Sequence, residues 1–319
     1  AGCEGAQSAL DTHGPQAAQT LSLFRVFLIV AAVVWGLVVL ALAVAILRRR
    51  GAARAPLALD ARAERRTERI VTALTVLTAV IVSGLSIASY LTGRSLASEA
   101  PEVLTIRVTG HQWWWAATYQ DPQPYRVLTT ANEIHIPAGQ PVRLELQSSD
   151  VIHSLWVPGL FGKRDLITGR TTEIRFRANA PGEYRGQCAE FCGFQHAHMA
   201  LLIVAEPPEQ FAAWREAQLR PAALPADDQR RHGLQVLQSG PCVMCHKVRG
   251  TLAGGGVAPD LTHLASRRTI AAGTLQLTRG TLAAWITDPQ SIKPGANMPQ
   301  IKLPTADFQA LLAYLEGLE

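Results

Sequence analysis

Two long apolar runs set the first limit on how this chain can fold. "LFRVFLIVAAVVWGLVVLALAVAIL", from Leu23 to Leu47, carries one charge, at Arg25, and "IVTALTVLTAVIVSGLSIASYL", from Ile70 to Leu91, carries none. Each is long enough to cross a bilayer as a helix. Two such runs around one short basic loop fit a membrane hairpin better than a signal peptide or a pair of buried core helices. The loop, Arg48 to Arg69, has eight arginines against Asp60, Glu64 and Glu68, whereas the segment before Leu23 has two acids and no lysine or arginine. The positive-inside rule puts the loop in the cytoplasm and both termini outside. It also accounts for the net charge of +5, because without the loop 30 basic and 25 acidic residues fall to 22 of each. The basic balance reports topology and implies no nucleic-acid partner. Ser83, Gly84 and Ser86 in the second run favour close packing on other membrane helices.

Beyond about Ser95 the chain reads as an exported, water-soluble region. "EVLTIRVTGHQWWWAATYQ", "NEIHIPAGQPVRLELQSSD", "TTEIRFRANAPGEYRGQC" and "HMALLIVAEP" alternate apolar and polar residues, with "PAGQ" and "NAPGE" as turns. A small antiparallel sandwich or barrel is expected over residues 95–205. His135, within "EIHIP", is expected on a sheet face with no ligand beside it. After Glu206 the composition changes, and "PPEQFAAWREAQLRPAALPADD" (206–226 with its flanks) predicts a short helix, then an Ala/Pro linker acting as domain boundary and semi-rigid spacer. Residues 227–319 read as helical with long loops, the last helix starting with Thr305 as N-cap. The predicted organisation is thus an N-terminal outer segment (1–22), a transmembrane hairpin (23–94) with cytoplasmic loop 48–69, a β domain, a linker and an all-α domain.

The cysteines sharpen this outline. Cys188 and Cys192 form one tight pair and Cys242 and Cys245 another, while Cys3 stands alone after "AG" in a chain without an initiator Met, where a lipidated residue and an inert thiol are both open readings. Exported disulfide scaffolds usually space cysteines widely, so close pairs flanked by His and Met suggest cofactors. "CVMCH", Cys242 to His246, is the pattern of covalent c-type haem attachment, in which two thiols add to the vinyl groups and the adjacent imidazole binds iron. A redox C-x-x-C or a zinc knuckle would not need the His. Of the three methionines, Met244 is trapped inside the motif and Met199 belongs to the other cluster, leaving Met298, in "KPGANMP", as the second axial ligand. Residues 227–319 resemble a class I cytochrome c domain, including "PDLTHLASR", in which His263 is expected as a loop residue.

"QCAEFCGFQHAHM", Gln187 to Met199, needs a different explanation. Structural zinc sites have no use for Met, and a mononuclear blue-copper site takes one Cys, so this loop holds one thiol too many. Two thiolates four residues apart can bridge two copper ions, each completed by one His and one weak ligand. "CAEFCGFQHAHM" resembles the dinuclear copper A loop of cytochrome c oxidase subunit II, C-x-E-x-x-C-x-x-x-H-x-x-M, and "SSDVIHSLWVP" supplies the distant His of that family as His153. The resemblance implies that Cys188 and Cys192 bridge the metals, that His153 and His196 bind one copper each, and that Met199 and the backbone carbonyl of Glu190 are weak ligands. It also implies that the Glu190 carboxylate helps to bind Mg or Mn against subunit I. His198 falls where the pattern needs no ligand. "GHQWWW" is similar to the family's aromatic patch, where the first Trp, here Trp113, admits electrons. On an alternating strand Trp113 and Trp115 would share a face opposed to Trp114, and the sequence leaves the choice among the three open.

The resemblance covers nearly the whole chain and corresponds to oxidases of the caa type: a two-helix hairpin, a cupredoxin-like Greek-key sandwich and a fused cytochrome c. It implies the electron-input subunit of a proton-pumping haem-copper oxidase in a bacterial cytoplasmic membrane, with metal domains on the outer side. The implied partners are subunit I, where oxygen is reduced to water, subunit III, membrane lipid, and cytochrome c or a quinol:cytochrome c reductase-type complex as donor. The chain has no intramembrane histidine cluster for oxygen chemistry of its own. A quinol oxidase subunit II would lack the copper ligands, whereas the copper subunit of a nitric oxide reductase and a stand-alone membrane-anchored electron carrier are the alternative readings. Nine basic and ten acidic residues between Ser95 and Ala205 give no strong field to steer a soluble basic donor, which suits a tethered one.

Overall fold

The computed structural model describes residues 5, 7–49, 61–96 and 104–319. Cys3 and loop residues 50–60 lie outside them. The chain divides into two compact units, Ala18–Glu99 and a second made of Ala1–Ala17 with Ala100–Glu319.

The first unit is helical. Helices α1 (Pro15–Arg49) and α2 (Ala61–Leu96) extend the apolar runs at both ends, and their most apolar stretches are not buried within the chain. Both are long and apolar enough to cross a bilayer. The second half of the arginine loop is helical, because Arg62, Arg65, Arg66 and Arg69 lie in the first turns of α2. Along α2, Thr67, Thr75 and Thr78 donate their hydroxyls to the carbonyls four residues earlier, which satisfies them without a partner from outside the helix.

In the second unit ten strands make a two-sheet sandwich: β1 (Leu104–His111), β2 (Trp114–Tyr119), β3 (Leu128–Ala131), β4 (Glu133–Pro137), β5 (Val142–Ser148), β6 (His153–Val157), β7 (Phe161–Leu166), β8 (Thr172–Phe176), β9 (Gly182–Cys188) and β10 (Ala200–Glu206). The sheet orders are β3-β2-β1-β5-β8 and β4-β10-β9-β6-β7. The expected antiparallel sandwich is observed, with two parallel pairings, β1 with β5 and β4 with β10, because the chain changes sheet between those partners. Alternation buries one face of each sheet, as in β1 and β2, so Ile106, Val108, Trp115 and Leu144 meet Ile134, Leu155, Val157 and Ile203 in one core. The segment before α1 and the first turn of that helix are tied to this sandwich: His13 N donates to Gly159 O, Ala17 N to Leu160 O and Asn179 N to His13 O.

The tryptophan run is a correction. It does not lie on one strand, because the chain turns at Gln112 and Trp113 to pair β1 with β2, His111 facing Trp114 and Gly110 facing Trp115. Trp115 is fully buried core, Trp114 stacks on His111 with ring centroids 4.3 Å apart, and Trp113 is left in the turn. His135 is likewise more constrained than a bare sheet-face residue. Its Nε2 lies 2.9 Å from Glu133 and its Nδ1 3.1 Å from Glu206, and its ring stacks on Trp214 of α3 (Pro208–Leu219).

Helix α3 packs Phe211, Trp214 and Leu219 on the sandwich core. The linker that follows is held by the helical domain rather than spanning freely, since His263 donates to Arg220 O and Ala222 N to Arg249 O. That domain comprises α4 (Asp228–Ser239), α5 (Cys242–Cys245), a two-strand ribbon of β11 (Thr269–Ile270) and β12 (Leu275–Gln276), α6 (Arg279–Thr287), α7 (Pro289–Ile292) and α8 (Thr305–Leu315). Asp227 caps α4 by accepting from Arg230 N at 2.8 Å. Thr305 is not the cap of α8 as expected: the helix begins one residue earlier, with Pro304 at the cap position and no side-chain cap bond. Helices α4 and α8 cross at Gly233, where a Cβ would fall 2.0 Å from Ala310 O, so only glycine lets the backbones approach this closely.

Candidate functional site

The loop after β9 folds Cys188, Cys192, His196 and Met199 back over His153 at the start of β6. Cys188 is placed by strand pairing, opposite Leu155 of β6 and donating its N–H to Met199 O at 2.9 Å. The remaining residues follow in a tight turn, in which Gly193 takes a φ of 113° that L side chains rarely adopt. Cys188 Sγ lies 3.7 Å from Cys192 Sγ, 3.9 Å from His153 Nδ1 and 3.2 Å from Glu190 O, while Cys192 Sγ lies 3.5 Å from His196 Nδ1 and 3.8 Å from Met199 Sδ. The structure therefore brings all six sequence-predicted positions together. Cys188, Cys192, His153 and Met199 are buried, and both cysteines are free.

Asp150 lies 2.8 Å from His153 Nε2 and orients the ring with Nδ1 towards the sulfurs. The same carboxylate accepts Gln112 N at 2.7 Å, so the tryptophan turn and the distant His share one anchor. Gly110 makes room for the imidazole: a Cβ there would meet His153 Cδ2 at 2.8 Å. The hydrogen bond from the Cys192 thiol, opposed by burial and joined by His153, holds Cys188 far below the ordinary thiol range, at about 3, and Cys192 is pushed up by Cys188 and by burial. The protein alone thus supports one negative charge on the pair. Two buried thiolates this close repel strongly, and soft cations between them remove that cost. Two thiols, two imidazoles and a thioether are a donor set that copper suits, so the residues fit the implied metal.

Glu190 points its carboxylate outwards, half exposed and 3.1 Å from Lys163 Nζ. His198 is exposed and bonded to Gln195 Oε1 at 2.7 Å. Among the described residues the one grouping of three or more metal-ligating side chains is His153, Cys188 and Cys192.

The second site is a mainly apolar cavity of about 330 Å³ lined by Cys242, Cys245, His246 and Met298. A smaller neighbouring hollow is walled by Arg267, Trp285 and Leu315. His246 Nδ1 donates to Pro259 O at 2.8 Å, which leaves Nε2 as the free ligand atom. Burial holds this imidazole below its ordinary value and hence neutral. A thiol pair on one edge, an oriented imidazole and a methionine on the walls of one apolar cavity fit a haem. His263 is buried with Nδ1 on Glu319 O and Nε2 on Arg220 O, so both its nitrogens serve the fold.

Trp113 and Trp114, both from the sandwich, line the same cavity. Trp113 Nε1 donates to Cys192 O at 3.0 Å, and Gln112 Nε2 donates to it at 2.8 Å. One indole therefore links the wall of the helical domain's cavity to a sulfur-bearing residue of the thiol cluster. Sequence reasoning missed Asp150, Gln112, Arg267 and Lys293. Lys293 is almost fully buried, and burial pulls its ammonium down to about 8. Its one sequence signal is a charged residue inside "SIKPGANMP".

Fold and sites together define a cupredoxin-like sandwich whose loop gathers two thiols, two imidazoles and a thioether, joined to a helical domain with a C-x-x-C-H motif on the wall of an apolar cavity. Residues 121–206 match the family described as cytochrome c oxidase subunit II, periplasmic domain, and residues 232–319 match cytochrome c. The chain is 38% identical over 215 residues to cytochrome c oxidase subunit 2 of Alkalihalophilus pseudofirmus, covering 67% of this chain and 61% of that one. It is 30% identical over 231 residues to the Bacillus subtilis protein of the same name, covering 69% and 64%. The chain thus spans somewhat under two thirds of these relatives. A crystal structure of the periplasmic domain of subunit II of cytochrome oxidase from Bradyrhizobium japonicum matches at 31% identity, covering 37% of this chain and 95% of that one, with a TM-score of 0.35. The chain belongs to the cytochrome c oxidase subunit II family, in the form fused to a C-terminal cytochrome c domain.

Proposed function

We propose that this chain is the electron-input subunit of a proton-pumping cytochrome c oxidase. The cytochrome domain accepts electrons from an external donor, and the sandwich passes them to subunit I, where oxygen is reduced to water. The observation that carries this reading is that both sites sit in one unit, with the Trp113 indole lining one and bonded to the other. Cys242 and Cys245 would hold haem c covalently, and His246 and Met298 would bind its iron. Cys188, Cys192, His153, His196, Met199 and Glu190 O would hold a dinuclear copper A centre. When bound, these groups supply reversible one-electron chemistry, and His/Met ligation favours a high haem potential.

The chain's own residues orient and shield. Asp150 and Pro259 O orient the two imidazoles as ligation needs, and the sandwich core keeps water from the thiols. Trp113 keeps the path between the two sites free of intervening solvent. The half-exposed Glu190 carboxylate, now paired with Lys163, would help to bind Mg or Mn at the contact with subunit I. The two apolar helices anchor the subunit in the bacterial cytoplasmic membrane beside subunits I and III, with both metal domains on the outer face. The donor is cytochrome c or a reductase complex that delivers to it. Rapid reduction of the purified holo-complex tests the reading. Haem c should be reduced first and the copper centre next, before oxygen uptake; copper reduction that bypasses haem c would overturn it.

A further inference from the structure

Lys293 lies five residues before Met298, in the cytochrome domain, and is 3% exposed. An ammonium has three N–H donors and must find partners for them when buried. Lys293 Nζ finds three carbonyls: Trp113 O at 2.8 Å and His198 O at 2.9 Å, both on the sandwich, and Ala271 O at 3.3 Å on its own domain. Two of the three partners exist only while the domains are docked. The neighbouring contacts converge on the same place. Gln195 Nε2 donates to Pro294 O at 2.8 Å, Ala200 N donates to Ala272 O at 3.0 Å, and Gly295 comes against the Trp113 ring. Ala271 and Ala272 both hold positive φ, 54° and 56°, a conformation that L residues adopt only where surrounding contacts enforce it. In this turn the two carbonyls so displayed are those that meet Lys293 and Ala200.

We propose that Lys293 is a docking clamp, a positioning residue that fixes the Met298 loop of the cytochrome domain against the copper loop and the Trp113 turn. It lies at the wall of the haem cavity, bonds three backbone carbonyls and none of the Cys, His or Met donor atoms of either site, and acts by setting the distance between the two sites. The inference rests on the reading that electrons pass between these domains, and it adds the residue that holds them in place for that transfer. It also makes the docked arrangement a property of the folded chain, independent of bound copper.

The test uses the full-length chain with Lys293→Met, which keeps the bulk and removes the donors, and Lys293→Gln, which keeps two N–H donors on a shorter, uncharged side chain. Lys293→Arg restores the positive charge. Amide hydrogen exchange is followed at residues 195–200 and 271–273, in the metal-free and the loaded protein. The clamp predicts exchange at the Ala200 amide about tenfold faster or more in Lys293→Met, less in Lys293→Gln, and substantially recovered in Lys293→Arg. The haem spectrum, the copper content and the rate of haem reduction by a small external reductant should stay unchanged, while haem-to-copper transfer measured by flash photolysis falls in parallel with docking. Unchanged exchange in both Lys293→Met and Lys293→Gln overturns the clamp. Faster exchange with unchanged haem-to-copper transfer upholds the clamp and overturns instead the route given under Proposed function.

Discussion

The thiol cluster and the haem cavity lie in one folded unit yet are built in opposite ways. Around Cys188 the polypeptide converges by itself: strand pairing sets Cys188, a carboxylate sets His153, and the donor atoms stand within 4 Å of a sulfur. Around His246 the ligands line a cavity of about 330 Å³ in the middle of the domain's apolar side chains. The first site sits at the edge of a packed sandwich core, whereas the second is a cavity beside the apolar cluster of its own domain. A haem bound there would add apolar contacts to the helical domain that metal ions would not add to the sandwich.

That contrast can be broken most decisively at the attachment cysteines. With Cys242 and Cys245 both changed to Ala, the cytochrome domain should lose its cooperative folding while the sandwich stays folded, seen as protease resistance confined to residues before about 220. Loss of both domains together would erase the distinction. Next comes Gly233→Val at the crossing of α4 and α8. A side chain there has no space, and the cytochrome domain should lose about 3 kcal/mol or more, read from denaturant unfolding followed at the haem Soret band.

The converse variant, Cys192→Ser, should lower copper to one or none per chain and abolish any shared-electron signal. It should cost the sandwich only about 1–2 kcal/mol, because the sulfur sits at the margin of a core formed elsewhere. A smaller effect is expected from pH. Burial lowers His135, but its hydrogen bonds and charge interactions with Glu133 and Glu206 more than offset that, and the net displacement is upwards. Its protonated form therefore stabilises the fold fully below its unfolded pKa of about 6.5, and that contribution is lost as pH rises through the folded value. Thermal midpoints should decline over that window in the wild type and flatten in His135→Gln. The smallest response is expected from salt. The Lys293 contact is buried and tethered, so haem-to-copper transfer should change little with ionic strength, whereas exposed ion pairs are screened. A steep decline would show that surface charge pairs such as Arg268 with Glu183 hold the docked state.

Both clusters were legible because their residues are close in sequence: "CVMCH" spans one turn, and five of the six positions gathered around the two thiols fall within Cys188 to Met199. The sandwich was legible from alternation, and the hairpin from two long apolar runs. Longer-range features were not. The turn at Gln112 and Trp113 is hidden in a continuous aromatic stretch whose alternation reads as one strand. His135 looked unpartnered because Glu206 lies far along the chain and Trp214 on a later helix. Lys293 carries no local sign of its role, since its partners, Trp113 O and His198 O, are backbone atoms of another domain. The linker read as a spacer from its Ala and Pro content, but Arg220 and Ala222 are bonded into the cytochrome domain.

The central claim is that one chain holds a two-copper centre beside a covalent haem. Electron paramagnetic resonance of the oxidised full-length protein, combined with copper and haem quantification, tests it directly. The account predicts two copper ions and one haem per chain, with a hyperfine pattern from one unpaired electron shared equally over both copper nuclei. A mononuclear copper spectrum, or no copper with the haem intact, would contradict it.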